Sequence, residues 1–131
     1  MKAFLDSVVV IYLVEQPPNF GAMAWNALSR LMPTALVVNP LTRLDCLVGP
    51  RRNADFQTEL DFDSFFSNQC QPFVPIDDPV YDLALNLKAK YVGLKTPDAL
   101  QLATAIHAGC DVFVTNDHRL SQVTEIQVVR I

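Results

Sequence analysis

The sequence predicts a single-domain α/β fold built on a parallel sheet. Short apolar segments alternate with longer segments of helical periodicity along the whole chain, the pattern of strands joined by crossover helices. The 131 residues amount to one domain, large enough to bury a core without staples. Half of the residues are hydrophobic and 18% are charged, which excludes a disordered chain. With no repeats, linkers or low-complexity stretches, residues 1–131 read as one unit.

Lys2 to Asp6 is short, apolar and closed by a carboxylate, and reads as the first strand. Val8 to Val14 is compatible with strand or helix, because its β-branched run is too short for periodicity to decide. Asn19 to Met32 carries Phe20, Met23, Ala24, Ala27, Leu28 and Leu31 at helical spacing, with Asn19 suited to the N-cap. Ala35 to Val38 is a strand candidate ended by Asn39-Pro40. Thr42-Arg43-Leu44-Asp45 has capping-box spacing and predicts a short helix stopped at Gly49-Pro50. Asn53 to Asn68 predicts a helix whose apolar side is Phe56, Leu60, Phe65 and Phe66. Gln71 to Ile76 holds two prolines and reads as an edge strand or loop.

Asp78-Pro79 opens the next helix, Asp as N-cap and Pro at the first position, with Val80, Leu83, Ala84, Leu87 and Tyr91 as its stripe. Thr96-Pro97-Asp98 repeats that opening, and Ala99, Leu102, Ala103 and Ile106 continue it to Gly109. Val112 to Thr115 is a strand, Asn116 to Leu120 a turn, and Ile126 to Ile131 the last strand.

Composition narrows function. The longest uncharged apolar run near the start, Ser7 to Val14, is far short of the ~20 residues that span a bilayer. Asp6 before it and Glu15-Gln16-Pro17-Pro18 after it do not suit an export signal, so a cytoplasmic location with no membrane contact is expected. Ten basic against 14 acidic residues give a formal net charge of −4, which argues against coating nucleic acid electrostatically. An enzyme acting on nucleic acid stays open, because bound cations reverse the sign of an acidic site. Three scattered cysteines and two histidines, Cys46, Cys70, Cys110, His107 and His118, read as core thiols and give little support to a zinc site. Only four glycines occur, and there is no phosphate loop or nucleophile elbow. Arg51-Arg52 reads as a solvated pair.

The acids carry more information. Sites on open parallel sheets lie at the carboxyl ends of strands. Asp6 ends the first strand, and Asn116 and Asp117 follow the Val112–Thr115 strand. Asp45 and Asp98 are placed in the first turns of helices. Converging, the four acids make an oxygen-only pocket suited to Mg²⁺ or Mn²⁺, whose usual use is phosphoryl chemistry. Asp45 and Asp98 also suit a helix N-terminus electrostatically, and Asp117 suits a turn. Asp6, between apolar runs, is harder to explain as a solvated group.

Thr96-Pro97-Asp98-Ala99-Leu100-Gln101-Leu102-Ala103-Thr104-Ala105, leading into Asp111-Val112-Phe113-Val114-Thr115-Asn116-Asp117, resembles the C-terminal motif of PIN-domain ribonucleases, and within them the VapC-type toxins of toxin–antitoxin pairs. Phe4-Leu5-Asp6-Ser7 resembles the first motif, and Thr42-Arg43-Leu44-Asp45 the middle one, with Asp45 one methylene shorter than the family's Glu. The resemblance spans the chain. It implies a Rossmann-like α/β/α sandwich with a central, mostly parallel sheet. It implies a Mg²⁺- or Mn²⁺-dependent endoribonuclease in which metal-activated water cleaves RNA phosphodiesters. Carried over, the catalytic acids are Asp6, Asp45, Asp98 and Asp117, with Asp6, Asp98 and Asp117 as metal ligands and Asp45 reaching metal through water. Ser7, Thr115 and Asn116 are the supporting polar groups. The implied partners are an RNA substrate, a cognate antitoxin laid in an apolar groove, and a second copy of the chain in a homodimer.

Phe20, Trp25, Phe56, Phe65 and Phe66 are more aromatic positions than a small core absorbs, which fits a covered groove. The alternative is a PIN fold whose site has decayed into a protein-binding module, favoured only by the Asp45 departure. A phosphoacceptor receiver domain would want paired acids after strand one and a late lysine, and no Lys follows Lys95.

Overall fold

A computed structural model describes residues 1–131. Four strands, β1 (Lys2–Leu5), β2 (Ala35–Val37), β3 (Val112–Thr115) and β4 (Gln127–Arg130), form one all-parallel sheet in the order β2-β1-β3-β4. Six helices join them: α1 (Ser7–Glu15), α2 (Phe20–Leu31), α3 (Pro40–Arg52), α4 (Phe56–Gln69), α5 (Asp78–Lys90) and α6 (Thr96–His107). A 3-10 turn at His118–Gln122 precedes β4. No helix is long and apolar enough to cross a membrane.

Strand alternation divides the core. Ala3, Leu5, Val112 and Val114 point to one face, where Val9, Val10, Leu13, Leu28, Leu47, Phe62 and Phe66 of α1 to α4 cover them. Phe4 and Phe113 point to the other, under Val80, Leu87, Ala99 and Leu102 of α5 and α6. The Phe4 and Phe113 rings stack with centroids 5.5 Å apart, because Phe4 pairs with Phe113 in the β1–β3 register. This is the three-layer α/β/α sandwich that the resemblance implied.

The Val8 to Val14 segment is helix. A parallel sheet needs a long crossover between β1 and β2, and Val9, Val10 and Leu13 become its buried face. The turn into α2 is tight: a Cβ on Gly21 would lie 2.7 Å from the Gln16 backbone Cα, so glycine is required there.

Several boundaries differ from expectation. α3 begins at Pro40, not Thr42. Asn39 is its N-cap, accepting from Thr42 N at 3.0 Å, while Thr42 Oγ1 accepts from Asn39 N at 3.2 Å. Asp45 therefore lies in the second turn, and the helix-start explanation for it falls away. Pro50 does not stop the helix, which runs to Arg52. Its ring removes one hydrogen bond, to Cys46 O, but its fixed φ is helical, and Asn53 N and Asp55 N re-engage Gly49 O and Pro50 O. On α4 the buried face is Phe62, Phe65 and Phe66, whereas Phe56 and Leu60 are exposed. Gln71 to Ile76 is a loop, tied to the β2 edge through Gln71 N to Leu36 O and Val74 N to Val38 O. α5 is capped by Asp77 rather than Asp78, and Lys95 stands at the α6 cap without a side-chain bond. Asn19 precedes α2 at φ 70° and likewise makes no side-chain cap bond.

Asn39 is fully buried and does two jobs, capping α3 and donating from Nδ2 to Thr104 Oγ1 of α6 at 2.9 Å. Asn39→Ala should therefore lower the unfolding free energy by at least the ~1–2 kcal/mol of a lost cap. A wild-type urea midpoint in that variant would show the cap to be dispensable.

Candidate active site

The sheet order places the site. The chain goes from β1 to β2 on one side, then crosses back to β3 on the other, so the carboxyl ends of β1 and β3 flank the switch point. Asp6 leaves β1 there, its N–H bonded to Val114 O at 2.9 Å. Asp6 Oδ2 accepts from Thr115 Oγ1 at 2.7 Å and Oδ1 from Ser7 N at 2.8 Å. Thr115 Oγ1 in turn accepts from Asp117 N at 3.0 Å, shaping the exit from β3. Ser7, at the start of α1, donates from Oγ to Asp45 Oδ2 of α3 at 2.8 Å. Asp98 enters in the first turn of α6, half-buried.

Ser7 links two of the acids, its N–H on Asp6 and its hydroxyl on Asp45, and the charge of Asp98 is felt at Asp6. Burial first, and after it the charges of Asp98 and Asp45, push the Asp6 carboxyl up to about 6 against the pull of Thr115 and Ser7. Asp98 is also raised, by burial first, then by Asp117, with Asp45 adding to it and Arg119 and Lys95 opposing. Asp117 behaves oppositely. Arg119 grips both its oxygens, Nε to Oδ1 at 3.0 Å and Nη2 to Oδ2 at 2.7 Å, and holds the carboxyl down at about 2. Asp98, Asp117, Lys95 and Arg119 share a cleft of about 340 Å³. Asp45 opens onto a second cleft of about 280 Å³, beside Glu15 and Asn53.

The donor set suits a hard divalent ion, being carboxylate oxygen without sulfur or imidazole. As placed, no three acidic, histidine or cysteine side chains close round one point. Asp117 would have to leave Arg119 to ligate. Burial raises the thiols of buried Cys46 and half-buried Cys70 and Cys110 above the ordinary range, the last two to about 12 and about 11.

Of the supporting groups named from the sequence, Ser7 and Thr115 touch site acids. Asn116 turns away, donating from Nδ2 to Tyr12 Oη at 3.2 Å. The sequence reading missed Gln101. It is 2% exposed in an Ala- and Leu-rich helix, and its Nε2 donates to Ser7 Oγ at 3.2 Å and Thr42 Oγ1 at 3.4 Å. Its Oε1 is buried without a partner, a deficit that typically costs about 1–3 kcal/mol. The available signal was spacing: Asp98, Gln101 and Thr104 recur every three residues on one helix, as Asn39, Thr42 and Asp45 do on the other.

A sequence model of the PIN domain matches residues 3–126. The chain belongs to the PIN domain family. A search of curated proteins finds no match. Among solved structures, the fold is similar to a toxin–antitoxin complex from Klebsiella pneumoniae, with a TM-score of 0.77, 22% identity, and 97% of this chain and 95% of that one covered. It is similar to VapBC2 from Rickettsia felis bound to a DNA fragment from its promoter, with a TM-score of 0.76, 16% identity, and 99% and 98% covered. VapBC-5 from Mycobacterium tuberculosis gives a TM-score of 0.70 at 16% identity over 99% and 98%.

Asp6 fixes a pH dependence. The folded protein holds its proton more tightly than the unfolded chain, whose carboxyl titrates near 3.8. Ionising it in the fold therefore costs stability, roughly 3 kcal/mol. That penalty is full above about pH 6 and fades as pH falls toward 3.8. Asp6→Asn keeps a side-chain oxygen for Ser7 N. Without metal it should melt higher than wild type near neutral pH and lack this contribution to the pH slope. Parallel stability–pH curves for the two proteins would contradict this assignment.

Proposed function

We propose that this protein is a divalent-metal-dependent endoribonuclease of the VapC type, the toxin half of a toxin–antitoxin pair. The observation that supports the reading is the Ser7 bridge between Asp6 and Asp45 at the switch point of a PIN fold, with the charge of Asp98 felt at Asp6 and no ion pair to any of the three. Like charges held together in a partly buried pocket favour a cation. Mg²⁺ or Mn²⁺ bound by Asp6, Asp98 and Asp117, with Asp45 reaching it through water, would polarise a phosphodiester and activate water at neutral pH. Ser7 and Thr115 hold Asp45 and Asp6 in place. Lys95 and Arg119, at the rim of the Asp98 cleft, are placed to meet phosphate oxygens of an RNA strand.

The partner part of the reading rests on exposed apolar surface. Phe20, Met23 and Trp25 of α2 are exposed, whereas Phe65 and Phe66 belong to the core. A groove of about 690 Å³ also runs along α3, with Leu44, Leu47, Val48 and Phe73 as its floor and Arg43, Arg51 and Arg52 at its rim. Such surfaces fit a small antitoxin and a second copy of the chain, acting in the cytoplasm. The Asp117–Arg119 clamp favours a second reading, a PIN fold retained only for protein contacts.

Purified protein should cleave structured RNA with Mn²⁺, and both chelator and Asp98→Asn should abolish the cleavage. Saturating Mn²⁺ at a hundredfold excess over Kd should stabilise the wild type by about 2.7 kcal/mol, and Asp98→Asn should lose most of that. Co-expression with a short neighbouring gene should yield a co-purifying complex. Cleavage surviving both chelator and Asp98→Asn, or a metal-insensitive melt, would count against the enzyme.

Arg119 gives a separate check. Arg119→Gln frees Asp117 and should tighten Mn²⁺ binding in calorimetry, and Asp117→Asn should cancel the gain. An equal gain in the Asp117→Asn background would place Asp117 outside the ligand set.

A further inference from the structure

We infer that Gln101 is a positioning residue that acts through Ser7 on Asp45. The inference rests on the metal-dependent reading above and concerns which groups set that site's geometry. α3 and α6 meet along a polar seam with two hydrogen-bonded rungs. Asn39 Nδ2 donates to Thr104 Oγ1 at 2.9 Å, and Gln101 Nε2 donates to Thr42 Oγ1 at 3.4 Å. Continuing the same antiparallel register makes Asp45 and Asp98 the next pair along the seam, and the charge of Asp45 is felt at Asp98.

The proton directions in this seam are determined. An ionised Asp45 only accepts, so the Ser7 hydroxyl must donate to it. Thr42 Oγ1 accepts from Asn39 N and donates to Asn39 Oδ1. Both hydroxyl protons are committed, so each oxygen receives a donor from Gln101. The amide must present its NH₂ to both, and its Oε1 is left without a partner. Turning the amide over would satisfy Oε1 only by taking the Ser7 proton away from Asp45 or the Thr42 proton away from Asn39 Oδ1. Gln101 therefore locks the Ser7 rotor toward Asp45 and fixes where that carboxylate stands. A side chain that served packing alone would be apolar here, as its neighbours Ala99, Leu102, Ala103 and Ala105 are.

The test is a double-mutant cycle of Gln101→Met and Ser7→Ala on the full chain, read by Mn²⁺ calorimetry, thermal melts without metal, and RNA cleavage. Gln101→Met, of similar length, removes the unpartnered oxygen, so its metal-free melting temperature should equal or exceed that of wild type. Its Mn²⁺ affinity should fall about tenfold, as for loss of an outer-shell partner. The double variant should be no weaker than Ser7→Ala alone, because both changes cut one chain of bonds. Wild-type Mn²⁺ affinity in Gln101→Met, or losses that multiply in the double variant, would overturn the role. So would a lowered melting temperature with metal binding intact, the signature of a merely structural glutamine. A wild type that binds Mn²⁺ and cleaves no RNA sinks the ribonuclease reading, while the affinity comparison still decides Gln101. A wild type that binds no Mn²⁺ overturns the positioning role itself.

Discussion

The carboxylate of Asp6 is the group that the surrounding structure accommodates at a cost. It ends a central strand, sits among apolar layers, and carries a raised carboxyl at about 6. Two donors keep it there, the Ser7 N–H and the Thr115 hydroxyl. The first is the local cap of α1, and the second depends on the register of β1 against β3, in which Leu5 pairs with Val114 and the next residues become Asp6 and Thr115. A one-residue slip would turn Thr115 to the opposite face, and would also separate the Phe4–Phe113 stack. The core and the site are thus specified by one strand pairing.

A second constraint is that α3 and α6 touch through polar side chains where apolar ones would pack more simply. Asn39, Thr42, Gln101 and Thr104 are all buried. Buried polar groups are worth keeping only when nearly satisfied, and here a single atom, Gln101 Oε1, is left over. The satisfied bonds fix the depth at which each helix presents its acid. The precision matters because Asp45 and Asp98 come from elements far apart in sequence.

The layered fold was legible because strand exits and helical stripes are local patterns, and Asp6, Asp98 and Asp117 stood at their ends. The middle of the chain was not, for particular reasons. Asn39-Pro40 reads equally as a strand terminator and as a helix opening, and only the reciprocal bond with Thr42 decides. Pro50 has the chemistry of a stop, yet its φ fits a helix held by packing. Phe56 and Leu60 share helical spacing with Phe66 but lie off the face that meets the sheet. Gln101 was hidden because a glutamine in a helix is usually solvated, and its burial follows from a neighbour more than fifty residues earlier in the chain.

The charges of the site divide unequally, and the division bears on how it works. Asp117 has its counter-charge supplied within the chain, by an arginine two residues on. Asp6, Asp45 and Asp98 make no ion pair, and the first and last of these are pushed upward, by burial first and by neighbouring carboxylates after it. An exposed ion pair is easily exchanged, since surface pairs contribute only ~0–1 kcal/mol. Releasing Arg119 is therefore cheap, whereas relieving the inner three acids requires protonation or an external cation. Protonation of Asp6 is half complete only near pH 6. On the metal-dependent reading, the inner acids are the groups a cation would relieve, and Asp117 is the side chain that would change partners on its arrival.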